Sequence, residues 1–193
     1  QIKEQKENEE VPTTTVNVHH DPNLDCKIND SAENGCREKG HWIWSVRGIT
    51  HTADAFRLGA ATTWTDIVRA ELPPAFDGLK AAAREVGSIQ IQNRGTIAGN
   101  LCNASPAADG VPPLLSLDAR VELASPEGRR VLPLASFING YRRTALGPAE
   151  IVTAVLVPNP SPAARAAFVK LGARRYLVIS ILMAAAVVET DAQ

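Results

Sequence analysis

From about position 41 onward, runs with strand character alternate with stretches of helical spacing. That alternation restricts the chain to folds in which helices and sheet share one core. Residues 56–60 read as a strand. Thr63 then offers a hydroxyl to the amides of Thr65 and Asp66 and opens a helix with Ile67 and Val68 inward. A second helix is predicted over residues 76–86, with Phe76, Leu79, Ala83 and Val86 on one face and Gly87 ending it. Ile89 and Ile91 alternate with Gln90 and Gln92 as a short strand. Residues 113–117 read as a short helix, and residues 120–124 and 129–132 as a hairpin about Pro126, Glu127 and Gly128. A strand follows at 151–157, then a linker rich in proline (Pro158, Pro160, Pro162), then strands at 168–171 and 177–188.

The front of the chain differs. Residues 1–10 are charged and almost without large apolar side chains, which predicts a disordered tail. Residues 11–40 keep neither a strand nor a helix period, and Trp42, Ile43, Trp44 and Val46 form the first cluster able to anchor a strand.

Composition narrows the function classes. The 193 residues carry 20 basic and 21 acidic side chains, so no net field favours nucleic acid or an anionic membrane. The longest apolar run, residues 177–188, is too short to span a bilayer as a helix and reads as a buried strand. Three cysteines, Cys26, Cys36 and Cys102, without paired spacing fit a reducing cytoplasm better than a disulfide framework. Residues 1–10 do not have the apolar stretch of a secretory signal. Cys26, Cys36, His19, His20 and His41 match no closed zinc spacing, and ordinary polar coil is the reading preferred for them.

Residues 93–110 carry the chemistry. They gather Asn93, Gly95, Thr96, Gly99, Asn100, Asn103, Ser105, Pro106, Asp109 and Gly110 with Arg94 as the only other charge. Gly95 and Gly99 would allow positive φ and close approach of a ligand, so that successive amides converge on an anion such as a pyrophosphate. Thr96 and Asn100 add side-chain donors, and Ser105 before Pro106 is a favourable helix start with free amides. Asp109 would repel a phosphate but suits sugar hydroxyls, and a nucleotide with a ribose or ribityl chain meets both demands. The segment is not a Walker loop and does not have the spacing of a dinucleotide-binding Rossmann turn. On residue chemistry alone, a plain loop has the same composition.

The run QNRGTIAGNLCNASPAAD at 92–109 closely resembles the second flavin-binding segment of the FAD subunit of the xanthine and carbon monoxide dehydrogenase family of molybdenum hydroxylases. RLGA at 57–60 with Thr62, Thr63 and Trp64, then YRRTALGPAEI at 141–151, then FVK at 168–170 follow in the order that family uses. The resemblance implies an α+β fold. It would be the second subdomain of a PCMH-type FAD-binding domain, a mixed or antiparallel sheet with flanking helices, followed by the first strands of a flavoprotein C-terminal domain. It divides the chain into an atypical segment at 1–45, the FAD-binding part at 46–158 and the start of a further domain at 159–193.

The same resemblance implies FAD as cofactor, held by Gly95, Thr96, Ile97, Ala98, Gly99, Asn100 and Asn103. Asp109 would bind a hydroxyl of the sugar part, Val152 would pack near the flavin, and Lys170 would reach the cofactor. Ala98 stands where the family commonly has glycine, a small change if its φ is negative. The chain would be an oxidoreductase component without a catalytic acid or base. It would pass electrons from the iron-sulfur clusters of a 2Fe-2S small subunit, reduced by a molybdenum-cofactor large subunit, to an external acceptor.

The pattern departs from the family at both ends. Residues 1–40 contain only Gly35 and Gly40 and no glycine-rich first flavin segment, and the last domain breaks off after its opening strands, so the chain reads as truncated or divergent. Two other readings therefore stand beside the first: a remnant that docks on hydroxylase subunits without flavin, and a stand-alone FAD oxidoreductase of the broader fold.

Overall fold

The computed structural model describes residues 15–16 and 46–189. The tail, the silent stretch at 17–40, the anchoring cluster at Trp42–Trp44 and the histidines and cysteines at positions 19 to 41 lie outside the described residues.

A six-stranded antiparallel sheet is the base of the fold. Its strands are β1 (Thr15–Val16), β2 (Ile49–His51), β3 (Ala55–Gly59), β4 (Arg120–Ser125), β5 (Gly128–Pro133) and β8 (Ile151–Pro158), in the order β1-β2-β3-β8-β4-β5. β8 lies between β3 and β4, pairing with β3 through Leu58↔Val155 and with β4 through Val121↔Val155. The face that carries Phe56, Leu58, Val121, Leu123, Val155 and Val157 is buried beneath the helices. The opposite face holds Arg57, whose Nη2 donates to Glu122 Oε1 at 2.8 Å, while the Thr153 hydroxyl donates to the same oxygen.

Above the buried face lie α1 (Trp64–Arg69), a 3-10 turn (Pro74–Phe76), α2 (Asp77–Glu85), α3 (Ile89–Gln92), α4 (Ile97–Asn103), α5 (Val111–Ser116) and α6 (Leu134–Phe137). Trp64, Ile67, Phe76, Leu79, Leu101, Leu114 and Phe137 are all within 1% of complete burial there. α1 opens at the expected residue: Thr63 Oγ1 accepts from the Asp66 amide at 3.2 Å, and the Thr63 amide donates to Asp66 Oδ2 at 3.0 Å, which closes a capping box. A two-stranded piece, β6 (Ile138–Gly140) with β7 (Arg143–Thr144), follows α6.

A hairpin of β9 (Arg165–Gly172) and β10 (Ser180–Val188) covers the helices from the far side, β9 along α2 and β10 along α5. Gly78 permits this contact, since a Cβ there would stand 3.1 Å from the Ala167 carbonyl oxygen. The stretch expected to behave as a linker is tied down: Asn159 Nδ2 donates to the Thr52 and Ala53 carbonyls, and Ala164 belongs to the core. The outer face of the hairpin is apolar but open, with Val169, Leu171, Leu182 and Val188 exposed, so residues 177–188 are not the buried strand that their apolar run predicts: the strand begins at Ser180 and packs by one face only.

Ile89–Gln92 is a helical turn, not the predicted strand. The alternation there spans only four residues and does not track burial: Ile89, Gln90 and Ile91 are exposed, while Gln92 is buried with its Nε2 donating to the Arg84 carbonyl at 2.9 Å. Gly87, at φ +56°, turns the chain out of α2 into this short segment, which bonds back to α2 through Gln92 and Arg84.

Candidate functional site

The site grows from the junction between β3 and α4. After β3 the chain runs through Ala60 and Thr62 to the Thr63 cap, and the α4 segment is laced to it. Thr63 and Thr96 form an antiparallel bridge, the Trp64 amide donates to the Gly95 carbonyl, and the Ile97 and Ala98 amides donate to the Thr62 and Ala60 carbonyls at 3.0 and 3.2 Å. Thr96 is the N-cap of α4, its Oγ1 accepting from the Gly99 amide at 3.1 Å, and the Asn100 amide donates to the Thr96 carbonyl.

The expected convergence of amides on an anion therefore does not occur over Ile97 to Asn100, because each of these amides already has a protein acceptor. What remains for a ligand on this turn is the hydroxyl proton of Thr96, the side chain of Asn100 and the exposed surface at Gly99. Gly95 and Gly99 are not at positive φ either. Gly95 serves close packing, since a Cβ would come within 2.9 Å of the Ile91 carbonyl oxygen, and Gly99 is a helical residue whose added Cβ would meet only Thr96 Oγ1. Ala98 sits buried inside α4 with no positive φ, so alanine costs this helix nothing in backbone conformation.

Ser105 and Pro106 do not start a helix. Ser105 forms a turn in which its Oγ accepts from the Ala107 amide and its carbonyl from the Ala108 amide, and the next helix waits until Val111. This turn carries Asp109 inward. Asp109 is 8% exposed, and its Oδ2 accepts from Lys170 Nζ at 2.9 Å. The same ammonium donates to the Glu85 carbonyl at 3.3 Å, at the end of α2. Two residues 61 positions apart and separately expected at the site are thus in direct contact. Burial pushes the Asp109 carboxyl above the usual carboxylate range; the hydrogen bond and charge of Lys170 pull it back, and Glu85 adds to the upward push.

Two acceptors in this region are buried without a donor: Asn100 Oδ1 and Asp109 Oδ1. Gly110, which follows Asp109 in the chain, packs against Asn100 and Trp64: a Cβ there would lie 3.1 Å from Asn100 Oδ1 and 2.4 Å from Trp64 Cη2. Asn103 is exposed at the far end of α4, and its Oδ1 accepts from Arg142 Nη1 at 2.8 Å, while the Arg142 amide donates to the Ala104 carbonyl. Val152 lies on β8 opposite Leu123 and packs partly buried on the core. On the Lys170 side opens a cavity of about 320 Å³ lined by Glu85, Lys170, Arg174, Arg175 and Val178 among others. Among the described residues no group of three or more His, Cys, Asp or Glu side chains could hold a metal.

Reading single residues for chemistry missed Trp64, Arg142 and Glu85. Trp64 and Arg142 fall inside motifs that the family resemblance marks, so a signal existed. Glu85 acts through its backbone carbonyl as well as its charge, and a carbonyl carries no sequence signature.

The family model for the FAD binding domain in molybdopterin dehydrogenase matches residues 41–160. The nicotinate dehydrogenase FAD-subunit of Eubacterium barkeri is 38% identical over 146 residues, covering 72% of this chain and 48% of that protein. The xanthine dehydrogenase FAD-binding subunit of Escherichia coli O157:H7 is 34% identical over 149 residues, covering 76% and 51%. A chain of the reconstituted CO dehydrogenase from Oligotropha carboxidovorans superposes with a TM-score of 0.72 at 28% identity, over 76% of this chain and 51% of its own length. The chain spans about half the length of these relatives. A family model that covers most of the chain, joined to the fold and to the loop at 93–110, shows that this chain belongs to the family of FAD-binding domains in molybdopterin dehydrogenases.

Proposed function

We propose that this chain is the FAD-holding electron-transfer component of a molybdopterin-dependent dehydrogenase, working with a molybdenum-cofactor large subunit and a 2Fe-2S small subunit in the cytoplasm. Electrons would arrive from the iron-sulfur clusters and leave to an external acceptor. Among the described residues no helix is long and apolar enough to cross a membrane.

The observation that carries the FAD reading is the pair of donor-less buried oxygens, Asn100 Oδ1 and Asp109 Oδ1, in the segment that the family uses for flavin. Buried acceptors without donors are rare because each forfeits a hydrogen bond. A ligand with several hydroxyls supplies what both lack, so the residues present fit the sugar part of FAD. Thr96 and Asn100 would bind the diphosphate through side chains, beside the exposed surface of Gly99, with Gly95, Ile97 and Ala98 fixing the turn against β3. Asn103, held by Arg142, would border the same face, and Val152 would contribute apolar contact from β8.

Bound FAD supplies the redox chemistry itself. This chain's residues bind and orient: Asp109 would accept from a hydroxyl, with Lys170 on its other oxygen. Titrating purified chain with FAD, followed by the quenching of flavin fluorescence, tests the reading. Saturable binding is expected, and Asp109→Ala weakens it by about 1–3 kcal/mol through the lost charge-assisted bond. A wild-type chain with no saturable uptake contradicts the FAD assignment, and an unchanged Asp109→Ala curve removes Asp109 from the site.

A further inference from the structure

Lys170 is expected from the family resemblance to reach the cofactor, yet its ammonium faces the protein. Two of its three donors are spent, on Asp109 Oδ2 at 2.9 Å and on the Glu85 carbonyl at 3.3 Å, and its side chain is only 6% exposed. Asp109, with a side chain 10% exposed, has one oxygen occupied and the other, Oδ1, buried with no donor. We propose that Lys170 is a positioning residue that acts through Asp109: it occupies Oδ2, favours the charged carboxylate by direct contact, and so leaves Oδ1 as the acceptor for a hydroxyl of the ligand. The proposal rests on the FAD reading for the identity of that ligand.

The charges around the pair support a one-to-one dependence. α5 and β10, which pack against this region, carry no ionisable side chain, and α4 contributes only the Cys102 thiol. Glu85 at the end of α2 opposes ionisation of Asp109, and burial opposes it further. Arg174 and Arg175 line the cavity on the Lys170 side, where Arg174 donates to the Leu177 carbonyl and Arg175 lies over the Tyr176 ring. Lys170 is thus the cation in contact with the carboxylate. Without it, a buried acid facing a second acid binds a proton at higher pH.

The test combines two measurements on the full chain. The carboxyl carbon of Asp109 is titrated by NMR in FAD-free wild type, Lys170→Met and Lys170→Arg, and FAD affinity is measured from mildly acidic to mildly alkaline pH. Lys170→Met is expected to move the Asp109 midpoint upward. Its FAD affinity should be about tenfold lower where Asp109 is protonated and recover as pH rises, because a neutral acceptor replaces a charged one. Lys170→Arg should restore both midpoint and affinity. The double variant Asp109→Asn, Lys170→Met removes both charges, guards against misfolding of the single variant, and should bind FAD weakly with no pH dependence in this range.

An Asp109 midpoint that does not move in Lys170→Met overturns the proposal. So does an affinity loss equal at every pH, which would mean that Lys170 touches the cofactor itself. A wild-type chain that takes up no FAD overturns the FAD reading and the ligand half of the proposal, whereas the NMR titration of the FAD-free chain decides the Lys170–Asp109 half independently.

Discussion

At the scale of single residues, carboxylates in different settings show how burial and partners compete. Asp109 is pushed up by burial despite its lysine. Glu122 is also opposed by burial, but hydrogen bonds from Thr153 and Arg57, with the charges of Arg57 and Arg129, hold it below its ordinary value of 4.5. A depressed folded value means that the unfolded chain binds the proton more readily. Stability from Glu122 is therefore complete above the unfolded value and is lost as pH falls through the folded one. Urea unfolding across the acid range should show this loss in wild type and a shallower pH slope in Glu122→Gln; equal slopes would remove Glu122 from the acid response. Asp109 was legible in the sequence because a lone carboxylate in a loop of small donors is chemically odd. Its contact with Lys170 was not, because the two are brought together only when β9 docks along α2.

At the scale of elements, the outcome followed from how many residues spoke for each assignment. The Thr63 cap of α1, the α2 face of Leu79 and Ala83, and the hairpin of β4 and β5 rest on several agreeing signals and stand where the sequence puts them. The strand predicted at Ile89 and Ile91 rests on four residues and is a helical turn, because the neighbours decide which face is buried. The α4 turn illustrates the same limit. Glycines and small donors mark it, but the acceptors of its first two amides, Thr62 for Ile97 and Ala60 for Ala98, lie more than thirty positions away and are visible only in the fold. Thr63 is the anchor of both α1 and the bridge to Thr96. Thr63→Ala should cost about 0.5–2 kcal/mol of stability, the usual range for a lost N-cap, read by thermal or urea unfolding. A cost near zero would show that α1 is held by packing alone.

At the scale of the whole molecule, the sheet, the helical layer and the β9–β10 hairpin share contacts that converge on the loop at 93–110. The turn after β3 supplies the carbonyls that fix α4, α2 supplies Glu85, and the hairpin supplies Lys170. The alternation of elements and the order of family motifs made this α+β arrangement legible in advance. The hairpin's place over α2 and α5 was not, since both of its faces are apolar and pattern alone cannot say which one turns inward. The central claim is that FAD binds at the α4 turn and Asp109. The most direct measurement is a map of backbone amide shifts by NMR during FAD addition to the isotope-labelled chain. Saturable shifts concentrated at Gly95, Thr96, Gly99, Asn100, Asn103 and Asp109, and extending to Lys170, are predicted. No saturable shift, or shifts confined to the outer face of β9 and β10, would contradict the account.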